Sequence, residues 1–428
     1  MNLQKNHTVR DIIVVGFALF AMFFGAGNVI FPPYLGVEAG PEWLSGFAAY
    51  FIADIGLALF AVFALLRVGS SEAVTARLGK VPAALLMSAL ILCIGPMVAI
   101  PRTAATTFEM AIVPNISGIS SVVFSIVFFA IILFLCIRQS AVVDIVGSIL
   151  TPLLLIGLAV IIVKGIATPL GEISLTPNAD NVALGGIKAG YQTMDALAAL
   201  PFGIIVLQSV ANKGYTSSGK KFKIVAGSAV LAGVLLLGVY MGLCYLGATV
   251  SAQYGLEIGR AELVMAIVEA LMGKAGMIIF GVVVGLACVT TAIGLTSSAA
   301  AYFAELCKNK VSYKAFVIII CVFSAVVSNL GLDRIVAIAA PVLDIVYPPA
   351  LVVIFISLVM PKVHDYVSRA AAVGAIGASI LCTLKVPFIQ ELPLYDLGLY
   401  WFLPAVVFGA LAFAIAAFVH PKGETASA

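Results

Sequence analysis

Residues 21–36 read AMFFGAGNVIFPPYLG, an apolar stretch interrupted near its middle by Gly25, Gly27 and Asn28 and then by Pro32-Pro33. Inside a bilayer, peptide groups that lose their helical partners are costly unless they line a cavity or bind something. The chemistry on offer is therefore that of the backbone itself, carbonyl oxygens for a cation and helix-start N–H groups for an anion. A second stretch, LGGIKAGYQTMDALAALPFGIIVLQS at 184–209, sets Asp195 near mid-span, with Pro201 and Gly203 one to two turns later. Proline removes a backbone donor and glycine relaxes the chain, which predicts a discontinuity around residues 194–203. A carboxylate at the bilayer centre costs about 2.5–3.5 kcal/mol on insertion scales, so Asp195 must face something polar.

A third element is VTTAIGLTSSAAAYFAEL at 289–306. Membrane hydroxyls often do no more than bond to the preceding turn. Here Thr290, Thr291, Thr296, Ser297 and Ser298 concentrate in one half of a span, at the depth where the first is broken. A hard cation such as Na⁺ takes oxygen ligands, and unwound carbonyls with two hydroxyls would supply them. Asp54, Arg102 and Asp344 are further charges within apolar runs. Each is a candidate for gating or coupling, as a salt bridge, a gate or a proton carrier. Asp344 lies between Pro341 and Pro348-Pro349, so its span is bent as well. Arg102 would attract a substrate carboxylate or pair with an acid such as Glu109.

The elements that must position these groups follow from composition. Of 428 residues, 63% are hydrophobic and only 10% charged, with a mean hydropathy of +1.18. Soluble domains do not have such values. Apolar runs of spanning length recur at 12–36, 43–66, 81–108, 118–137, 141–163, 184–209, 224–249, 275–304, 314–331, 333–358, 366–386 and 398–419. They do not alternate with period two, which excludes a barrel and predicts an all-α polytopic membrane protein with twelve transmembrane helices. With the N-terminus in the cytoplasm, sixteen of the twenty-three Lys and Arg fall on the inner side, so both termini are expected there. The start of the chain lacks a cleavage signal and reads as a retained signal anchor.

Enzyme chemistry has little to work with. The seven cysteines lie in or near apolar runs without CxxC spacing, and the three histidines, His7, His364 and His420, sit in polar ends or loops. Neither a transition-metal site, a histidine-based triad nor a paired catalytic carboxylate motif is present. Nothing points to nucleic acid. The first and sixth spans are the interrupted ones, five helices apart, and so run in opposite directions. That is the pattern of two five-helix units related by inverted topology, with a site at their interface.

At these residues the chain becomes recognisable. GFALFAMFFGAGNVIFPPYLG at 16–36, GPMVAIPRTA at 95–104, GYQTMDALAALPFGI at 190–204, GLTSSAAAYFAEL at 294–306 and APVLDIVYPPA at 340–350 resemble the branched-chain amino acid:cation symporters, the BrnQ-type carriers of bacterial plasma membranes. The likeness runs over nearly the whole chain. It implies the LeuT-type fold of the amino acid–polyamine–organocation superfamily: helices 1–5 at 12–163, an inverted second repeat at 184–358, and two extra helices at 366–419. A cytoplasmic N-terminus at 1–11 and a tail at 420–428 complete the expected organisation. The implied function is import of leucine, isoleucine or valine by symport with sodium. A proton-coupled or exchange-type carrier is the alternative, and a channel a more distant one. Proton-coupled relatives often carry a lysine in helix 5, where this chain has none before Lys164.

The resemblance also implies a site. Sodium would be held by the carbonyls of Ala21, Phe24 and Ile293 and the hydroxyls of Thr296 and Ser297. The substrate carboxylate would meet the N–H groups of Gly25, Ala26, Gly27 and Asn28. Its ammonium would meet the carbonyls of Phe23 and Phe24, with Asp195 contributing charge or orienting the carbonyls. Phe23, Met97, Ile100, Met194, Leu197 and Phe202 would form the apolar pocket. One methylene changes binding by about 1–3 kcal/mol, so broad branched-chain specificity is expected.

Overall fold

The computed structural model describes residues 2–138, 151–215 and 217–419. Residues 141–150 of the fifth expected span and the expected tail at 420–428 lie outside the described residues. In chain order the helices are α1 (Asn2–Phe23), α2 (Ala26–Ala39), α3 (Trp43–Phe51), α4 (Leu57–Val68), α5 (Ser71–Ala76), α6 (Lys80–Leu92), α7 (Ala99–Thr107), α8 (Ser121–Arg138) and α9 (Thr151–Ala167). They continue as α10 (Val182–Thr193), α11 (Asp195–Asn212), α12 (Ser218–Ala248), α13 (Arg260–Leu306), α14 (Tyr313–Ser328), α15 (Leu332–Val359), α16 (Asp365–Thr383), α17 (Pro387–Gln390) and α18 (Phe402–Val419). No strand occurs among the described residues.

Six helical segments of the described residues are long and apolar enough to cross a membrane, and four shorter apolar helices accompany them. Side chains such as Val81, Leu85, Val160, Val163, Val322 and Phe323 project outward from these helices. In water that surface would be untenable; in lipid it is the solvent-facing side. Without a hydrophobic force between helices in lipid, packing relies on close backbone approach through small residues. α2 meets α12 in this way: a Cβ on Gly36 would sit 2.0 Å from the Cys244 carbonyl oxygen, and one on Gly247 would sit 1.8 Å from that of Pro33. α10 approaches α3 and the turn after it through Gly186, against the Gly46 carbonyl, and Gly190, against Ala53 and the Asp54 backbone. Its other side stacks Tyr191 on Tyr347 of α15, with ring centroids 4.3 Å apart.

Three π-helical turns, Ile52–Gly56, Cys93–Met97 and Phe108–Ile112, each insert an extra residue into a helix. Such insertions shift the phase of everything downstream. At Gly273 the chain takes φ 67° and ψ −174°, which breaks α13 between an arm that begins at Arg260 and the membrane-length part beyond. Side-chain ties close both ends of the bundle. At one end, Asp11 of α1 accepts from Lys213 Nζ (3.2 Å) and the Tyr215 hydroxyl (2.6 Å), just beyond α11. The hydrogen bond to Asp11 raises the Tyr215 pKa above its ordinary value. At the other, Arg260 pairs with Asp333 at the start of α15 and lies over the Tyr34 ring of α2, 4.3 Å from its centroid.

The Gly247 contact has a measurable consequence. Gly247→Ala forces backbone apart and should cost about 1–3 kcal/mol as overpacking. It should lower the unfolding temperature of the purified protein. Gly238→Ala, on the same helix with open space around it, should leave that temperature unchanged or raise it.

Candidate functional site

The first break is two residues long. α1 ends at Phe23, Gly25 is extended (φ −115°, ψ −169°), and α2 restarts at Ala26. In a continuous helix the Gly25 amide would close on the Ala21 carbonyl; instead it donates to Asn28 Oδ1 (3.2 Å). The Asn28 amide, which would have reached Phe24, donates to the Gly25 carbonyl at 3.2 Å. Both the Ala21 and Phe24 carbonyls thus lose their helical donors. Ala26 and Gly27, first in α2, have no preceding turn to donate to. Pro32 and Pro33, expected to extend the interruption, lie inside α2. Their missing N–H groups are tolerated where α12 packs backbone against backbone at Gly247.

The second break is narrower than the expected 194–203. It is a single residue, Met194, in the left-handed conformation (φ 67°, ψ 15°), and Pro201 and Gly203 lie within α11. The last carbonyls of α10 are covered by a guanidinium: Arg102 Nη1 donates to Gln192 O (2.5 Å) and Nη2 to Thr193 O (3.4 Å). Thr193 Oγ1 in turn donates to Asp54 Oδ1 at 2.7 Å. Across the site, Asn28 Nδ2 donates to Asp195 Oδ2 at 2.9 Å. One asparagine therefore fixes the start of α2 and joins it to the start of α11.

Between the breaks lies a cavity of about 30 Å³, lined among others by Phe23, Gly25, Ala26, Asn28, Met194, Asp195 and Phe202. Phe23 and Phe202 meet edge to face across it, centroids 6.1 Å apart. The volume suits about two waters. Arg102 and Thr291, both named from the sequence, also line it, as do Ile94, Ala99, Thr103, Thr193, Ala198 and Leu295, which sequence reasoning did not place there. The structure does not bring Met97 or Ile100 to the lining. Met97 is 39% exposed and Ile100 fully buried elsewhere. The reason is the π-helical turn Cys93–Met97 with its non-helical Gly95, which rotates the following residues out of register. Leu197 is buried behind the wall, Phe24 stacks on Phe20 and packs against Tyr240, and Gly27 lies against Arg102.

Asp54 and Arg102, expected as gating or coupling candidates, belong to this centre. Arg102 does not pair with Glu109, whose Oε1 accepts the Leu332 amide at 2.9 Å and caps α15. Asp344 does not line the cavity; its charge acts with that of Lys188 on α10. For the expected cation set, Thr296 Oγ1 is fully buried with no hydrogen-bond partner. The Cys136 sulfur lies 3.7 Å from the Ile293 carbonyl and 3.6 Å from the Ser297 hydroxyl. These oxygens suit a hard monovalent cation as cargo, since a buried hydroxyl left unpaired costs about 1–3 kcal/mol. Thr290 is spent on the Ala287 carbonyl at 2.7 Å, whereas Thr291 faces Gly25 at the break.

Two interrupted helices around a mid-bundle cavity are an architecture of membrane transporters. The chain has that fold. It aligns with a Na⁺-coupled sialic acid symporter in a substrate-bound outward-open state (TM-score 0.62, 15% identity, 97% of this chain and 91% of that one). It aligns likewise with Mhp1, a nucleobase-cation-symport-1 family transporter in a closed conformation (TM-score 0.63, 15% identity, 97% and 94%). Residues 8–419 match the family described as branched-chain amino acid transport protein, and the chain belongs to it. Relatives include branched-chain amino acid permease BraB of Bacillus subtilis strain 168, 35% identical over 445 residues and 99% of each chain. Branched-chain amino acid permease BrnQ of Escherichia coli K12 is 35% identical over 420 residues, 94% of this chain and 95% of that one. The family consists of transporters rather than enzymes.

Asn28→Ala removes an acceptor and a donor together, each loss costing about 1–3 kcal/mol. It should lower the unfolding temperature more than Thr290→Ala does. Asn28→Asp keeps the acceptor but faces Asp195 with a second carboxylate, and should be at least as damaging. Unchanged melting of both variants would remove Asn28 from this role.

Proposed function

We propose that this protein imports leucine, isoleucine and valine by symport with sodium across a bacterial plasma membrane, with both termini in the cytoplasm. The observation that carries the reading is the Asn28–Asp195 bridge, which joins two broken helices around one cavity in a chain of the branched-chain transport family. In this reading the helices within 12–163 and 184–358 are two inverted five-helix repeats. Those within 366–419 are an added pair, making twelve spans.

The substrate carboxylate binds the N–H groups of Ala26 and Gly27 at the positive end of α2. Gly25 and Asn28, named with them from sequence, hold that helix start in shape through their own hydrogen bonds. The ammonium meets the carbonyls of Phe23 and Phe24, with Asp195 supplying negative charge. The branched side chain packs between Phe23, Met194 and Phe202. The carbonyls of Ala21, Phe24 and Ile293 and the hydroxyls of Thr296 and Ser297 take the sodium ion. A cavity of about 30 Å³ must widen to admit an amino acid, so the walls separate before binding and close after it.

Ion and substrate both stabilise the ordered break, and each lowers the cost of the other's binding. A monovalent cation crossing about 100 mV contributes roughly 2.3 kcal/mol, and a tenfold ion gradient adds about 1.4 kcal/mol. Together these support several-hundred-fold accumulation.

Uptake of labelled leucine into proteoliposomes under separately imposed Na⁺, Li⁺ and H⁺ gradients tests the driving ion, and the sodium gradient alone should give accumulation. Thr296→Ala with Ser297→Ala should abolish the stimulation by sodium. Sodium stimulation like that of the unaltered protein would exclude both hydroxyls. Accumulation driven by the proton gradient alone would overturn sodium symport.

A further inference from the structure

At one side of the cavity, Asp195 of its lining is set against a second acid, Asp54. Asp54 is carried on the π-helical turn Ile52–Gly56 and is fully buried; Asp195, at the start of α11, is 4% exposed. Their side chains lie within hydrogen-bonding reach of one another. Each has one oxygen held by a neutral donor, Asp54 Oδ1 by the Thr193 hydroxyl at 2.7 Å and Asp195 Oδ2 by the Asn28 amide at 2.9 Å. Asp54 Oδ2 is buried without a well-formed hydrogen bond, and the Tyr50 hydroxyl lies within reach of this carboxyl. The hydroxyls of Tyr50, Tyr240 and Tyr347, all fully buried, surround the pair without well-formed hydrogen bonds of their own.

The charge balance is simple. The titratable or charged groups around the pair are Tyr50 on α3, Arg102 on α7, Tyr240 on α12 and Tyr347 on α15. Cys288 of α13 lies next to Arg102, and Tyr191 of α10 is stacked on Tyr347. The tyrosines and the cysteine are neutral at ordinary pH. Two carboxylates and one guanidinium therefore leave one uncompensated negative charge in a dry centre, which is the costly case. Two carboxylates facing each other at this range cannot both stay ionised without strong repulsion.

We propose that Asp54 and Asp195 hold one proton between them, a resident proton that ties the π-helical turn between α3 and α4 to the start of α11 and leaves the centre with Arg102 electrically neutral. The proton adds the missing hydrogen bond at Asp54 Oδ2. It joins two walls that the Asn28 bridge does not connect. Raising the pH removes the shared proton and with it this tie between the two walls. The inference needs neither the identity of the coupled ion nor that of the substrate.

Infrared difference spectra of the full-length protein in liposomes, recorded as pH is raised, give the direct readout. The carbonyl stretch of a protonated carboxyl should be present, shift in deuterium oxide and disappear on the alkaline side. Asp54→Asn supplies an amide donor to Asp195 in place of the proton, so this band should be missing and the pH response flat. Thr193→Val deletes the donor that favours ionised Asp54 and should move the loss of the band to higher pH. A spectrum of the unaltered protein without a titrating carboxyl band would overturn the proposal, as would a band unmoved by both substitutions. The first measurement stands even if a variant fails to fold.

Discussion

Asn28 makes two hydrogen bonds in opposite directions, and the geometry around the cavity depends on them. Its carbonyl oxygen takes the Gly25 amide and its amide reaches Asp195. Away from water, every peptide group released from helical pairing needs some other partner. The asparagine turns an otherwise prohibitive gap in α1–α2 into a stable one, because it replaces the helical bond at Gly25 with a side-chain bond. In doing so it leaves the Ala21 and Phe24 carbonyls without their usual donors. At the second break Arg102 does the corresponding work at the end of α10, covering the carbonyls of Gln192 and Thr193. Glycines at the α10–α3 contact then bring Thr193 close enough to reach Asp54.

These local substitutions explain how so open a backbone can persist in a tight bundle. The polar atoms at the centre are few, and most are already engaged by the protein itself. Those that are not, such as Thr296 Oγ1 and Asp54 Oδ2, are where a small cation or a proton gains the most. At the two ends of the bundle, Asp11 of α1 meets Lys213 and Tyr215 beyond α11, and Arg260 of α13 meets Asp333 of α15 and the Tyr34 ring of α2.

Much of this was legible in the residues. GAGN within an apolar run and an aspartate in mid-span are strong signals, because each is costly in lipid without a purpose. What stayed hidden has physical reasons. A methionine gives no hint of positive φ, so the break at Met194 could be placed only to within several residues. Pro32, Pro33 and Pro201 suggested wider interruptions than exist, since a single lost bond can be absorbed inside a packed helix. Met97 and Ile100 were named from their place in the third span, and one π-helical turn suffices to change which residues of that span face the cavity. The pairing of Asp54 with Thr193 depends on Gly186 and Gly190 admitting a neighbouring backbone, a tertiary fact that periodicity does not carry.

Gly27 illustrates a constraint of another kind. A methyl group there would lie 2.8 Å from Arg102 Nη2, so the missing side chain at this position is space set aside for a guanidinium from a distant helix. The Phe31 ring, 5.5 Å from that guanidinium carbon, forms a neighbouring face of the same niche. Positions 27, 31 and 102 should consequently be inherited as a unit: a relative that carries alanine at the first must have shortened, re-aimed or discarded the arginine.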